Sequence, residues 1–95
     1  MNGRALFAWN LRRLRSERGI SQERLAADSE VDRAYVSEIE RRRGNPTVDL
    51  LDKLAAALDV PIAEFFREPE PGAKRPKSLP GGRPPRTSKR RGRAL

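Results

Sequence analysis

Apolar residues in the first two thirds of the chain recur at the three- and four-residue spacing of helices. Phe7, Leu11 and Leu14 form one such stripe, and a second stripe of leucines follows between residues 51 and 58. No segment has the strict alternation of apolar and polar residues that is typical of a half-buried strand. The spacing therefore predicts an all-α fold in which each helix buries one face.

Capping residues divide this pattern into five predicted helices. The first starts near Arg4 and ends at Gly19, because a left-handed residue commonly closes a helix. Pro61 suits the first turn of the fifth, short helix, which ends near Phe66. The other three helices each follow a residue suited to the N-cap, and these residues are Ser21, Asp32 and Thr47.

The composition changes abruptly at Pro69. Residues 69–95 contain six prolines and four glycines, and their apolar residues are two leucines and two alanines. Such a segment cannot bury enough surface to offset the entropy lost on ordering. The sequence thus predicts a folded domain over residues 1–68 and a disordered, basic Pro/Gly/Arg-rich tail over residues 69–95.

The formal charge of +8 belongs to this tail. The first 68 residues carry 12 basic and 12 acidic side chains, whereas residues 69–95 carry nine basic side chains and Glu70. The predicted domain is therefore neutral. A high pI cannot by itself indicate that the domain binds nucleic acid.

Several classes of function are disfavoured by composition. The chain has neither cysteine nor histidine, which rules out disulfides, thiolate chemistry and the usual zinc sites. We expect no metal, no cofactor and no enzymatic activity.

The N-terminus lacks an apolar run of signal-peptide length, and no stretch approaches the roughly 20 apolar residues of a membrane helix. We therefore expect a cytoplasmic, nucleoid-associated protein that does not contact a membrane.

Residues 22–41 predict two short helices joined by a tight turn. Ala26 is small where these helices would cross, and Val36 and Ile39 would anchor the second of them to the core. This is the layout of a helix-turn-helix, in which helix 33–41 would enter the major groove of double-stranded DNA. The polar face left outside consists of Arg33, Ala34, Ser37 and Glu38.

The four outward residues have the chemistry of base recognition. Arg33 can donate two hydrogen bonds to guanine, and Ala34 can contact the methyl group of thymine. Ser37 can bond a base or a phosphate, and Glu38 can accept from cytosine N4. The alternative interpretation is an ordinary solvated helix face.

Six short segments follow a family pattern at fixed spacing: Gly19-Ile20-Ser21-Gln22, Leu25-Ala26, Tyr35-Val36-Ser37, Ile39-Glu40-Arg41, Asn45-Pro46-Thr47 and Leu58-Asp59-Val60. With them the sequence resembles the Cro/CI-type helix-turn-helix family, also called the XRE family, over roughly Leu6 to Phe66. The run Asp32-Arg33-x-Tyr35-Val36-Ser37, followed by Glu40 and Asn45-Pro46, carries a weaker resemblance to the controller proteins of restriction-modification systems. The resemblance implies a five-helix, lambda-repressor-like DNA-binding domain.

This resemblance also implies roles for residues around the predicted recognition helix. Gln22 opens helix two, where free N–H groups attract a phosphate, and it is expected to contact the DNA backbone. Arg15 and Glu40 are expected to form a structural ion pair between helices one and three. The other candidates for backbone contact are Tyr35, Arg41, Arg42, Arg43, Asn45 and Thr47. The alternative role of the three arginines is favourable charge at a helix C-terminus.

At two positions the chain departs from the family pattern. Glu30 and Arg42 stand where the family usually has glycine. A left-handed backbone costs about 1–2 kcal/mol without glycine. Either these turns differ from the family's, or the domain is strained there.

The leading hypothesis is a sequence-specific transcriptional regulator that binds a palindromic operator as a homodimer. One module of this size would bury only about 600–1,000 Å² on DNA, which favours two copies. Two alternatives remain open. One is an antitoxin-type autoregulator that also binds a protein partner, and the other is a nonspecific nucleic-acid binder driven by the tail.

Overall fold

The structure is a computed structural model, and it describes residues 1–73 of the chain. The predicted disorder of residues 74–95 lies outside the described residues, and the domain boundary at residue 68 stays a prediction. Residues 1–73 contain no strand, so the all-α prediction is confirmed for them. The elements are α1 (Gly3–Arg18), α2 (Gln22–Ser29), α3 (Arg33–Glu40), α4 (Val48–Leu58) and a 3₁₀ helix (Ile62–Phe66).

The fifth, short helix predicted after Pro61 is present, and it is a 3₁₀ helix rather than an α-helix. Residues Ile62–Phe66 form a 3₁₀ helix, in which the Glu64 N–H donates to the Pro61 carbonyl over 3.0 Å. Because the segment is only five residues long, it gains too few hydrogen bonds to offset the cost of an α-helical nucleus. Helix α3 also ends at Glu40, one residue earlier than predicted, with Arg41 as its C-cap.

Side-chain caps fix where the helices begin. Asn2, which the sequence did not single out, caps α1 by accepting from the Ala5 N–H over 2.8 Å. Each such cap stabilises a helix by about 1 kcal/mol. The three predicted N-caps are confirmed, with Ser21 accepting from Arg24, Asp32 from Ala34 and Thr47 from Leu50.

The helices share one hydrophobic core. Helix α1 contacts α3, α4 and the 3₁₀ helix, and α2 packs against α3 and α4. The rings of Phe7 and Phe65 meet edge to face with centroids 4.9 Å apart. Fully burying one large apolar side chain contributes about 1.5–3 kcal/mol. Leu11, Leu25, Val36, Leu54 and Phe65 are completely buried.

A buried amide attaches the C-terminal end of the domain to α1. Asn10 is fully buried, and its Nδ2 donates to the carbonyl oxygens of Phe65 (3.0 Å) and Arg67 (2.9 Å). Its Oδ1 accepts from Nε of Arg13 over 3.0 Å. Asn10 follows Phe7 by three residues and so shares its buried face, which is the one signal for this role in the sequence.

Both positions where the family usually has glycine are left-handed in this chain. Glu30 has φ 60° and Arg42 has φ 65°. The N–H of Glu30 closes α2 by donating to the Ala27 carbonyl over 3.3 Å. The turns thus keep a left-handed geometry without glycine, so the domain is strained at these two residues.

We predict that Glu30→Gly raises the melting temperature. Relief of the left-handed strain should add about 1 kcal/mol, which for a domain of this size corresponds to about 4–8 °C. Thermal unfolding followed by circular dichroism measures the shift. Glu30→Ala is the matched control, because it removes the carboxylate and keeps the strain. An equal rise in both variants, or a fall in the glycine variant, would contradict this explanation.

Candidate DNA interface

Helix α3 has one buried face and one exposed face. Val36 and Ile39 are completely buried and anchor the helix. Ala26 is buried on α2, whose contacts include α3. The opposite face is exposed or half-buried and brings together the four residues predicted to contact bases, which are Arg33, Ala34, Ser37 and Glu38.

The charged side chains on this face form only loose ion pairs. Arg33 Nε lies 3.8 Å from Oε2 of Glu23, and both side chains are about half exposed. Glu38 Oε2 lies 3.7 Å from Nη1 of Arg43 and 3.9 Å from Nη1 of Arg41. Exposed pairs of this kind contribute about 0–1 kcal/mol. They leave the arginines free to exchange a carboxylate for a base edge or a phosphate.

Tyr35 supports the turn that follows α3. Its ring is half-buried and packs against the core. Gly44 has φ 78°, and a Cβ added there would lie 3.2 Å from Cε1 of Tyr35. A side chain at residue 44 would therefore strain the backbone and would require the Tyr35 ring to shift by a few tenths of an ångström. The expected contact of the Tyr35 hydroxyl with DNA stays a prediction.

The remaining backbone candidates follow α3 along the exposed surface. Arg41, Arg42, Arg43 and Asn45 are all exposed. Thr47 Oγ1 accepts from the Leu50 N–H over 3.1 Å, which leaves its hydroxyl proton available to donate. The left-handed conformation of Arg42 turns the chain directly after the helix. These exposed side chains thus lie on the segment that joins α3 to α4.

A buried ion pair holds α3 against α1. Arg15 Nε donates to Glu40 Oε2 over 2.6 Å, and Arg15 Nη2 donates to Oε1 over 2.8 Å. The two side chains are only 2% and 1% exposed. Arg15 Nη1 also donates to the Ile20 carbonyl over 2.8 Å. This two-point geometry offsets the desolvation cost of the pair and fixes the orientation of α3.

Gln22 also contacts Glu40. Its Nε2 donates to Glu40 Oε1 over 3.1 Å, so the side chain joins the start of α2 to the end of α3. This bond was not predicted from the sequence, and the expected contact of Gln22 with a phosphate stays a prediction. A carboxamide nitrogen carries two protons, so one remains for another acceptor.

Residues 1–73 contain no group of three or more metal-ligating side chains placed to hold an ion. Over the same residues, no helix is both long and apolar enough to span a membrane.

Comparison with known proteins agrees with this geometry. A family model described as helix-turn-helix matches residues 11–65. The chain belongs to the helix-turn-helix family. This confirms the resemblance to the XRE family, whose relatives include transcription factors and restriction-modification controller proteins.

Among its relatives is a hypothetical transcription factor from Neisseria meningitidis serogroup B. The two are 42% identical over 67 residues, which cover 70% of this chain and 63% of the relative. The match thus spans less than two thirds of the Neisseria protein. The crystal structure of the hypothetical transcription factor NHTF from Neisseria superposes with a TM-score of 0.70, at 40% identity, over 74% of this chain and 80% of that chain.

Two restriction-modification controller proteins have closely similar structures. C.AhdI from Aeromonas hydrophila has a TM-score of 0.65 at 43% identity, over 66% of this chain and 96% of that chain. C.Esp1396I bound to a 19 base pair DNA duplex has a TM-score of 0.64 at 33% identity, over 70% and 88% of the two chains. The family of this chain therefore includes a member solved on DNA.

We predict that Glu40→Ala strongly destabilises the domain. The change leaves the Arg15 guanidinium buried without its carboxylate, which costs about 3–5 kcal/mol. Urea unfolding followed by circular dichroism measures the loss. Glu38→Ala is the matched control on the same helix, because its pairs are exposed and its effect should stay below about 1 kcal/mol. Similar stability of the two variants would show that the buried pair does not hold the fold.

Proposed function

We propose that this protein is a sequence-specific DNA-binding transcriptional regulator that reads the major groove with α3. The observation that carries the proposal is the outer face of this helix. Arg33, Ala34, Ser37 and Glu38 share it, above two completely buried anchors. The dimensions of an α-helix and the hydrogen-bonding groups of these residues suit the major groove. The structural similarity to a controller protein solved on DNA supports the same function.

The affinity of the domain for DNA would depend on the positions of its individual basic side chains. Residues 1–68 are formally neutral, so no general basicity draws the domain to DNA. Arg33 begins α3, and Arg41, Arg42 and Arg43 follow its end. All four side chains are exposed. They would place phosphate and base donors at both ends of the helix that enters the groove.

The proposal includes a homodimer on a palindromic operator. A single module buries only about 600–1,000 Å² on DNA, and two copies on half-sites about 34 Å apart would supply the missing specificity. We place this activity in the cytoplasm, at the nucleoid. The relatives named above are transcription factors and controller proteins, which supports a regulatory rather than an enzymatic role.

We predict that Arg33→Ala relaxes the preference at one base position in each half-site. Loss of a bidentate contact with guanine should cost about 1–3 kcal/mol on the preferred operator and much less on other sequences. Selection of bound sequences from a random DNA pool, for the wild type and the variant, measures this. Arg24→Ala is the control, since that arginine is exposed on α2 and pairs with Asp28. An unchanged preference in Arg33→Ala would remove Arg33 from the proposed contacts.

We predict that truncation after Ala73 weakens binding without abolishing site preference. The deleted segment carries nine basic side chains and no acidic one. Each phosphate that it neutralises contributes about 0.9 to the slope of log K against log salt. Titrations at several salt concentrations on operator and random DNA should show a shallower slope with the preference intact. Loss of all preference would instead favour a nonspecific binder driven by the tail.

A further inference from the structure

A groove lies between α1 and the segment that follows the 3₁₀ helix. It encloses about 370 Å³, and its helical wall includes Trp9 and Glu17. The opposite wall is formed by residues 67–70 and Ala73. Asn10 holds the two walls together, because its Nδ2 donates to the Arg67 carbonyl over 2.9 Å. The groove is thus a fixed part of the domain.

The groove and its rim carry an excess of negative charge. Their charged side chains are two arginines and four glutamates, which are Arg13, Arg67, Glu17, Glu64, Glu68 and Glu70. Arg13 and Arg67 lie 3.1 and 3.8 Å from Glu64 Oε1. Glu68 and Glu70 are exposed and form no ion pair within residues 1–73. Two positive and four negative charges leave a net charge of −2, on a domain that is neutral overall.

Trp9 gives the groove an aromatic surface. Its side chain is half-buried, and it is the only tryptophan of the chain. Tryptophan is the aromatic residue that attracts cations most strongly. Grooves lined by aromatic side chains also bind proline-rich segments. An indole beside carboxylates that lack a cation therefore suits a segment with both prolines and positive charges.

The chain itself contains such a segment. Ala73 lines the groove, so residues 74–95 begin at its rim. These residues have nine basic side chains, four prolines and no acidic side chain. Among them, the run Arg83-Pro84-Pro85-Arg86 places one arginine on each side of a proline pair. The two arginines match the excess negative charge of the groove.

The length of the connection permits this contact. Residues 74–82 separate Ala73 from Arg83, and nine residues span at most about 30 Å when extended. Gly81-Gly82 directly precedes the run and is a turn signal, which allows the chain to reverse its direction. Because proline has a fixed φ, Pro84 and Pro85 lose little conformational freedom on binding. A short covalent connection also supplies an effective concentration of about millimolar.

We propose that Arg83–Arg86 docks in this groove of its own chain. One arginine lies over the Trp9 indole, and the other pairs with Glu68 and Glu70. A docked arginine cannot neutralise a phosphate at the same time, so the groove holds part of the tail away from DNA. The inference goes beyond the proposed function and does not depend on it, because the contact forms in the protein without DNA.

The fluorescence of Trp9 in the full-length protein tests the contact, since the chain has no other tryptophan. The measurement is the constant for quenching by acrylamide, which is uncharged. Salt at about 1 M screens charges beyond about 3 Å and should raise the constant of the wild type by releasing the segment. The double variant Arg83→Gln, Arg86→Gln should reach this higher value already at low salt. A low-salt constant equal to that of the wild type would overturn the proposal.

The matched control in the tail is the double variant Arg90→Gln, Arg91→Gln. It removes the same charge from the same tail, and its quenching constant should stay at the wild-type value. An equal rise in both double variants would show that Trp9 is covered by unspecific attraction of the tail and would refute docking of Arg83–Arg86. All four substitutions lie outside residues 1–73, so the core of the domain is unchanged.

A double-mutant cycle tests whether the segment and the groove act on each other. Glu68→Gln with Glu70→Gln should raise the quenching constant as the Arg83 and Arg86 substitutions do. The protein with all four changes should show no further rise, because each pair of changes removes the same contact. Additive rises would mean that the two sets act independently, and the proposal would fail.

Two further controls complete the experiment. Glu30→Gln with Asp52→Asn removes two exposed carboxylates outside the groove and should leave the quenching constant unchanged. The constant of the wild type should also be independent of protein concentration. Quenching that falls as the concentration rises would show that the tail of another copy fills the groove, which would overturn docking within one chain.

Discussion

The orientation of α3 depends on one buried carboxylate, that of Glu40. This group accepts two hydrogen bonds from Arg15 on α1 and one from Gln22 on α2, so it connects all three helices around the exposed face. Apolar packing alone would allow α3 to slide or rotate on its two anchors, because dispersion and hydrophobic contacts have little directionality. Charged hydrogen bonds have defined distances and angles. The base-reading role that we propose for α3 would need that definition.

Around the Glu40 carboxylate, the groups that stabilise the fold lie next to the charged groups that could bind DNA. Because the first 68 residues are neutral overall, the cations that could meet DNA must be placed individually. Around α3 these cations form only loose, exposed ion pairs, at 3.7 to 3.9 Å. Near Glu40 the Arg12 side chain is half-buried, and its Nε has no hydrogen-bond partner among the described residues. The rigid ion pair thus supports the fold, and the weakly bonded arginines around it remain able to change partner.

Strain at the two turns shows that tertiary geometry can override local preference. Glu30 and Arg42 are left-handed although neither is glycine. The path of the chain from α2 into α3, and from α3 into the following turn, is set by the buried contacts of Val36, Ile39 and Glu40. The core fixes the direction of both turns, and the residues there accept an unfavourable conformation. A cost of about 1–2 kcal/mol at each turn is small against several fully buried side chains.

The sequence alone determined the helices, their caps and the outer face of α3, because these features depend on residues at most four positions apart. Ser21, Asp32 and Thr47 cap the helices that they precede, and the leucine spacing gave the buried faces. The short fifth helix was predicted without its 3₁₀ type, because five residues carry almost no periodicity. Only the tertiary structure decided the partners of Asn10 and Gln22. Asn10 bonds Arg67 and Gln22 bonds Glu40, and such pairs join residues far apart in the chain that only the packed helices bring together.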